Sequence, residues 1–378
     1  METIKFFILG ISGNLAKEKV LPSLGQFHGL YGDQINIEIH GYSRSEANIE
    51  EIQHLTCLAN SSSCPKIKLY NGEYENNQVY HDLVSSLKEN ERIVVYLAIP
   101  PSIFIKFLQN SCPYGKHRLD ILMEKPFGAN EDEAKQIIKI IEACDLASSV
   151  HFIDHYWFKN SARVDFETVS KKLNLDLNEL KKIKIQAIES IDIGMRKGYY
   201  DQTGATKDML VHLFSLLNLS KNLFVDSNFE LEINKVKSLN IGQYESYQKE
   251  IDDFESVTDT YFDAVTEFNF GGNIVEIELE SGKKRPEKKT QITLEFSDRT
   301  IQYSLAPELK IEIIQDGIIV ETIVVEDPKT LDHTNVFLDV WHNDFSRFVP
   351  KEQVLEGWKV FNEVQEFKVE NNIKVEKY

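Results

Sequence analysis

The sequence predicts an α/β, Rossmann-like first domain followed by an α+β domain built on a large, mainly antiparallel sheet. Three observations predict it. A short apolar run at the N-terminus passes through a glycine turn directly into a helical pattern. Apolar strand-like runs then alternate with helical patterns to about residue 150, the rhythm of a doubly wound parallel sheet. Beyond residue 180, runs with alternating apolar and polar residues follow one another across short turns, as strands of an antiparallel sheet do. The division expected is 1–150 for the first domain and 151–378 for the second, since 378 residues exceed what one compact core usually serves.

Composition narrows the class. Hydrophobic residues make up 42% and charged residues 27%, and no apolar run approaches the ~18 residues that span a bilayer, which argues against a membrane protein. Met1 leads straight into an apolar strand pattern without the basic and apolar regions of a secretory signal, so a cytoplasmic location is expected. The formal charge of -18 opposes nonspecific attraction to nucleic acid or anionic lipid, so an anionic ligand needs a local basic pocket. Cys57, Cys64, Cys112 and Cys144 include no C-x-x-C pair and no histidine at finger spacing; they are expected to be reduced, mostly buried thiols, with no metal site.

The first strand, Ile4 to Leu9, ends in Gly10, Ile11, Ser12, Gly13, Asn14, Leu15, Ala16 and Lys17, after which Leu15, Val20, Leu21 and Leu24 keep helical spacing. Gly10 permits a tight turn, Gly13 lets backbone N–H groups approach a pyrophosphate, and Ala16 keeps the helix close to its strand. A glycine loop alone is weak evidence, but the next strand, Ile35 to His40, ends in Gly41-Tyr-Ser-Arg44-Ser45, where the adenosine ribose is expected. A carboxylate there selects the ribose diol of NAD; Arg44 offers a guanidinium to a 2′-phosphate, so the cofactor expected is NADP. From Asn48 to Glu91 the chain is polar, with turns at Ser61–Ser63 and Asn71–Gly72. Ile93 to Ile99 is a buried strand closed by Pro100-Pro101, and Ile103 begins a helix. The next strand, Arg118 to Met123, ends in Glu124-Lys125-Pro126-Phe127-Gly128, which aims Lys125 at the cleft, and Asn130 with Glu133 starts a helix in capping-box fashion.

The richest polar stretch is Asp154-His155-Tyr156-Trp157-Phe158-Lys159. Histidine, tyrosine and lysine within a few residues give a phosphate several charge-assisted donors; the bland alternative is a wet, aromatic turn. In the second half, Ile183 to Ile188 reads as a strand and Met209 to Leu219 as an apolar helix carrying His212, which could equally be a packed core histidine. Strands are expected at 262–270, 274–279, 291–296, 301–304 and 311–325, with turns at Gly271-Gly272 and Asp316-Gly317. The basic loop Lys283 to Lys289 reads by default as a solvated turn. Residues 339–361 read as helical, and the last residues as frayed.

Taken together, G-I-S-G-N-L-A-K-E-K, G-Y-S-R-S, Y-L-A-I-P-P, E-K-P-F-G and I-D-H-Y-W-F-K stand in the order seen in glucose-6-phosphate dehydrogenases, and the sequence resembles a divergent, shortened member of that family. The likeness continues through Gly198-Tyr-Tyr-Asp201, Gly204 with Lys207-Asp208, Gly242-Gln-Tyr244, Ser281-Gly-Lys283, and Phe348-Val with Trp358-Lys-Val-Phe361, so it covers nearly the whole chain. The resemblance implies oxidation of glucose 6-phosphate at C1 to the 6-phospho-lactone, with hydride passing to NADP. It makes Arg44 the 2′-phosphate ligand, Lys125 a contact of sugar and nicotinamide, and His155, Tyr156 and Lys159 the substrate-phosphate cluster. Glu189 and Asp208 would hold sugar hydroxyls, and Lys283 and Lys288 would reach the substrate from the second domain. It further implies a homo-oligomer, a dimer, joined through the large sheet, which looks trimmed after Leu219 and between Phe296 and Phe337.

The chain departs from the family pattern in two places. Trp157-Phe158 stands where the family has Leu-Gly, which would put two bulky rings beside the phosphate cluster. The family's base, a histidine five residues after the aspartate matching Asp208, is here Leu213; His212 is one residue short, a turn of about 100° on a helix. The expectation is that His212, oriented by Asp154, is the base, with Lys125 setting the geometry and no metal required. Two alternatives stay open: the same chemistry on a 2-modified sugar such as N-acetylglucosamine 6-phosphate, suggested by the two rings and the shortened sheet, and a catalytically silent NADP sensor, suggested by Leu213.

Overall fold

The chain divides into two units, and the first is not contiguous: it comprises 1–159 and 329–355, while the second comprises 160–328 and 356–378. The computed structural model describes residues 1–57, 64–74, 78–114, 119–194, 197–324 and 329–378. The turn expected at Ser61–Ser63 and the strand ends expected at Arg118 and Val325 lie outside these residues.

In the first unit, strands β1 (Thr3–Leu9), β2 (Asn36–Ser43), β3 (Lys66–Asn71), β4 (Glu91–Leu97), β5 (Leu119–Glu124) and β6 (Val150–Ile153) form one sheet in the order β3-β2-β1-β4-β5-β6. Every pairing is parallel. β1, β4, β5 and β6 are buried at every position, which is why the first three read as apolar runs; the four residues of β6 gave too short a run to be read. β3 has no buried position, so it gave no apolar signal within its polar surroundings. The helix Glu131–Ala143 starts as its sequence predicts: Asn130 accepts from Glu133 N at 2.9 Å, and the Glu133 side chain accepts from Ala129 N at 2.9 Å.

A boundary at 150 would cut this unit at the first residue of β6 and would also lose its returning segment. The helix Asp332–His342 adds Val336, Phe337 and Val340 to the core formed by Phe6, Leu24, Phe27, Tyr96 and Leu122, with the Phe6 and Phe337 rings 5.1 Å apart. Polar ties fix it there: Asn335 donates to Phe158 O at 2.8 Å, Thr334 to Ser23 O at 3.1 Å, and Arg92 to Val340 O at 3.0 Å. The single helix read over 339–361 is two, since Asn343 turns left-handed (φ 55°) and Pro350 precedes the helix Lys351–Glu370.

All four cysteines are paired, Cys57 with Cys64 and Cys112 with Cys144, contrary to the reduced, buried thiols expected. Their Cα separations of 5.2 and 4.6 Å lie within bridging range, a proximity that arises from the fold and not from motif spacing. None of the four is buried.

The second unit is a nine-stranded sheet. Its strands are β7 (Leu180–Ile188), β8 (Leu231–Gln243), β9 (Tyr261–Phe270), β10 (Asn273–Gly282), β11 (Lys289–Phe296), β12 (Thr300–Ala306), β13 (Lys310–Gln315), β14 (Ile318–Val324) and β15 (Glu376–Lys377), ordered β14-β13-β12-β11-β7-β10-β9-β8-β15. Pairing is antiparallel except between β7 and β10 and between β8 and β15. The segments that looked trimmed thus still build a broad sheet. β8 escaped sequence reading because register shifts at Ile233/Lys235 and Val236/Ser238 break its alternation. The helix Lys197–Ser220 packs on β7, β9, β10 and β11. The C-terminus is anchored where fraying was expected: β15 pairs with the end of β8, and Tyr378 donates to Lys283 O at 2.7 Å.

Candidate active site

At the C-terminal end of β1 the chain turns so sharply that Gly10 takes φ +85°, and a Cβ there would lie 2.1 Å from Ala98 O on the strand next door. No other residue type fits. Gly10 N donates to Tyr42 O and Gly13 N to Gly10 O, both at 2.8 Å, and Lys17 N to Gly13 O at 3.1 Å, so the loop closes onto the start of the helical segment. Beside it lies a cavity of about 520 Å³ lined by Gly10, Gly13, Arg44, Ser45, Tyr74 and Pro100 among others. This is the crossover point of a doubly wound sheet, where dinucleotides bind, and the cradle that a Cβ would fill suits a pyrophosphate. Arg44 is exposed and lies 5.5 Å from the Tyr74 ring centroid; Asn71 donates to its carbonyl at 3.0 Å, which fixes the strand end that presents it. Ile11 and Ala16 are buried and contribute shape, Leu15 packs partly on the core, and the Lys17 ammonium is 2.8 Å from Glu51. Ser12 is 3.3 Å from the Ser45 hydroxyl, and Asn14 is exposed.

Two and three strands along the same sheet edge from β1, Lys125 follows β5 and Asp154 follows β6. Their parallel alignment brings Lys125 Nζ to 2.5 Å from Asp154 Oδ2, with side-chain exposures of 6% and 0%. Burial pushes the lysine below its usual pKa, opposed by the charges of Asp154 and Glu124. The other Asp154 oxygen accepts from Tyr156 N at 3.1 Å and so caps the single helical turn His155–Phe158. That turn places His155 Nδ1 4.0 Å from Asp154, the His155 and Tyr156 rings 4.4 Å apart, and Lys159 Nζ 4.1 Å from the Tyr156 ring centroid. The structure thus brings together the three side chains that the sequence groups, His155, Tyr156 and Lys159. The bulk expected beside them is not placed there: Phe158 is fully buried against Phe348, and Trp157 packs partly on the same core, because the turn sends these two positions inward. This removes one of the two motives for a 2-modified sugar.

In the second unit, register does the assembling. Glu189 follows β7, Lys283 follows its parallel neighbour β10, and Lys288 precedes β11, whose Lys289 pairs with Ile188. All three thus lie at one edge of adjacent strands. Lys283 is ion-paired with Glu189 and sits 5.8 Å from the Tyr200 ring, while Lys288 is exposed. The helix Lys197–Ser220 is kinked at Gly204 (φ 69°), and its second part is capped by Asp259, which accepts from Thr206 N and Oγ1 at 2.7 Å. Asp208 and His212 are half-buried, one turn apart on this part; Leu213, at the family's base position, is fully buried. Burial, followed by Asp208 and Asp259, pushes the Tyr200 hydroxyl far above its usual pKa.

Sequence reading missed several groups beside these residues. Asp259 and Tyr378 lie far from any motif, and only the fold brings them to Thr206 and Lys283. Tyr96, Glu124 and His333 form a buried cluster next to Lys125; Tyr96 and Glu124 stood inside quoted motifs but were read as strand residues. Asp332 is half-buried, and that burial raises its pKa, against the pull of Lys159, His333 and Lys19.

Residues 7–163 match the family described as "Glucose-6-phosphate dehydrogenase, NAD binding domain". Among curated proteins, the chain is 24% identical to "Glucose-6-phosphate 1-dehydrogenase 5, cytoplasmic" of Arabidopsis thaliana, over 95% of this chain and 85% of the relative. It is also 24% identical to the chloroplastic glucose-6-phosphate 1-dehydrogenase of Spinacia oleracea, over 68% of this chain but only 52% of that longer protein. Among solved structures, "Glucose-6-phosphate dehydrogenase in complex with its substrate glucose-6-phosphate" superposes with a TM-score of 0.80, covering 100% of this chain and 94% of the other at 19% identity, which shows the shared fold. With residues 7–163 matched to that nucleotide-binding domain, the chain is similar to glucose-6-phosphate dehydrogenases and shares the fold of the solved one.

Proposed function

We propose that the protein is an NADP-dependent dehydrogenase that oxidises a hexose 6-phosphate, glucose 6-phosphate first, at C1 to the 6-phospho-lactone. The observation that supports this most is the sheet edge of the first unit. The same edge that forms the glycine cradle and Arg44 also holds the buried Lys125–Asp154 pair and, one turn on, His155, Tyr156 and Lys159.

The loop Gly10 to Lys17 and Arg44 are the residues to hold the dinucleotide, the guanidinium taking the 2′-phosphate; when bound, NADP supplies the hydride acceptor. His155, Tyr156 and Lys159 anchor the 6-phosphate by charge-assisted hydrogen bonds. Lys125 donates to the reacting end of the sugar, and its ion pair with Asp154 fixes where that donor points. Glu189 and Asp208 accept from sugar hydroxyls, and Lys283 and Lys288 add cationic donors, as their family positions suggest. His212 takes the C1 hydroxyl proton, the role that falls to it because Leu213 carries no titratable group. No step calls for a metal ion.

We further read the protein as cytoplasmic and dimeric through the sheet of the second unit. Among the described residues no helix is long and apolar enough to cross a membrane. The test of function is NADPH formation with glucose 6-phosphate, N-acetylglucosamine 6-phosphate and free glucose in parallel. Turnover confined to the first supports the reading. Preference for the second shifts the substrate, and cofactor binding without turnover of any sugar overturns catalysis.

A further inference from the structure

Glu124 closes β5 one residue before Lys125, and its carboxylate is held inside the core of the first unit. Tyr96, fully buried on the adjacent strand, donates its hydroxyl to Glu124 Oε1 at 2.5 Å. His333, in the first turn of the helix Asp332–His342 and 3% exposed, places Nε2 2.7 Å from the same oxygen, with its ring centroid 5.9 Å from that of Tyr96. The other ring nitrogen, His333 Nδ1, is buried and has no hydrogen-bond partner among the described residues. That asymmetry assigns the proton. With a single proton on Nδ1, the Nε2 lone pair would face the carboxylate and an N–H would be buried without an acceptor; on Nε2, the imidazole is a donor to Glu124. Two donors converging on one oxygen are the arrangement of an ionised carboxylate, whose burial is otherwise costly.

We propose that His333 is a positioning residue for the active site: acting through Glu124, with Tyr96 as the second anchor, it fixes a negative charge behind Lys125 and so keeps that lysine protonated in its buried setting. Among the groups facing the lysine are Asp154 and Glu124. Those facing Glu124 are Tyr96 and His333 directly, with Asp332 nearby, itself balanced by Lys159, Lys19 and His333. Burial pulls Lys125 toward losing its proton, and Asp154 and Glu124 together oppose this. A lysine that loses its proton loses one donor and all of its charge, so the device sets the upper pH at which the site works. The consequence for catalysis rests on the function proposed above; the charge state of Lys125 does not.

The test compares wild type with Glu124→Gln, His333→Leu and His333→Gln in two readouts. One is the pH profile of kcat/KM. The other is the pH dependence of Lys125 acetylation by acetic anhydride, followed by mass spectrometry, which needs no turnover. For Glu124→Gln, which keeps the shape and removes the charge, both alkaline midpoints are expected to move down by about one pH unit. His333→Leu moves them the same way by less, and His333→Gln, which retains an N–H donor, returns them toward wild type. Should His333→Leu fail to fold, the isosteric Glu124→Gln decides alone. Acetylation midpoints for Lys125 that superpose in wild type and Glu124→Gln overturn the proposal. A wild-type protein that oxidises no hexose phosphate refutes the function instead, while acetylation still decides the charge.

Discussion

Lys125 and Asp154 form a buried ion pair across the ends of two parallel strands, with Nζ 2.5 Å from Oδ2 and the carboxylate fully shielded from solvent. Such a pair contributes little net stability over apolar packing but leaves a costly charge behind when one partner is removed. Asp154 also caps the turn that carries His155 and Tyr156, so one side chain links the lysine to the phosphate-type cluster.

Asp154→Asn is therefore expected to lower both stability and activity, stability by about 3–5 kcal/mol, as measured by denaturant unfolding. The sign of the pH effect follows from the lysine. Burial lowers its folded pKa below the unfolded value, so between the two the unfolded chain binds more protons and stability rises with pH. Loss of the Asp154 charge widens that window downward, and the variant should regain part of its deficit on going from neutral to alkaline pH. A deficit independent of pH would show that Lys125 does not titrate as described.

Arg44→Ala should weaken NADP far more than NAD, by roughly 10- to 100-fold in the ratio of Michaelis constants, the value of one charge-assisted contact. Arg44 is exposed, and its ring contact among the described residues is with Tyr74, so folding should not suffer. An equal loss for both cofactors would remove the 2′-phosphate assignment.

Asp263, on β9, has one carboxylate oxygen buried without a hydrogen-bond partner among the described residues, and burial, then Glu278 and Glu280, push its pKa up to about 6 against the pull of Lys184 and Lys182. The folded state thus binds its proton more tightly than the unfolded chain. This residue's penalty grows as pH rises from about 4 to 6, and it is complete above that range. Asp263→Asn should raise the unfolding temperature at pH 7.5 and leave it nearly unchanged at pH 4. Equal shifts at both pH values would mean that the charge is not the cause.

His212→Asn should lower kcat by roughly 100-fold or more with the Michaelis constant within a few fold, because a proton acceptor acts mainly in the transition state. Steady-state kinetics decide this. Near-normal kcat would make His212 a packing residue and leave the proton acceptor unassigned.

What was legible in the sequence was whatever local pattern encodes. Parallel strands read as apolar runs where β1, β4 and β5 are buried throughout, and Gly10 was readable because its turn admits no Cβ. The pairing of Lys125 with Asp154 was not, since it depends on which strands lie side by side. Neither were the inward turn of Trp157 and Phe158, the register shifts hiding β8, or the return of His333 to a core built more than 200 residues earlier. Tyr378 reaching Lys283 likewise follows from β15 pairing with β8 and from no signal in the tail.

The most direct test of the proposed chemistry is to supply glucose 6-phosphate carrying deuterium at C1 and to follow the label by mass spectrometry and nuclear magnetic resonance of the reduced cofactor. Direct hydride transfer from C1 predicts one deuterium on nicotinamide C4 for every lactone formed. Reduced cofactor without the label, or no reduction of NADP at all, would contradict the reaction assigned to this site.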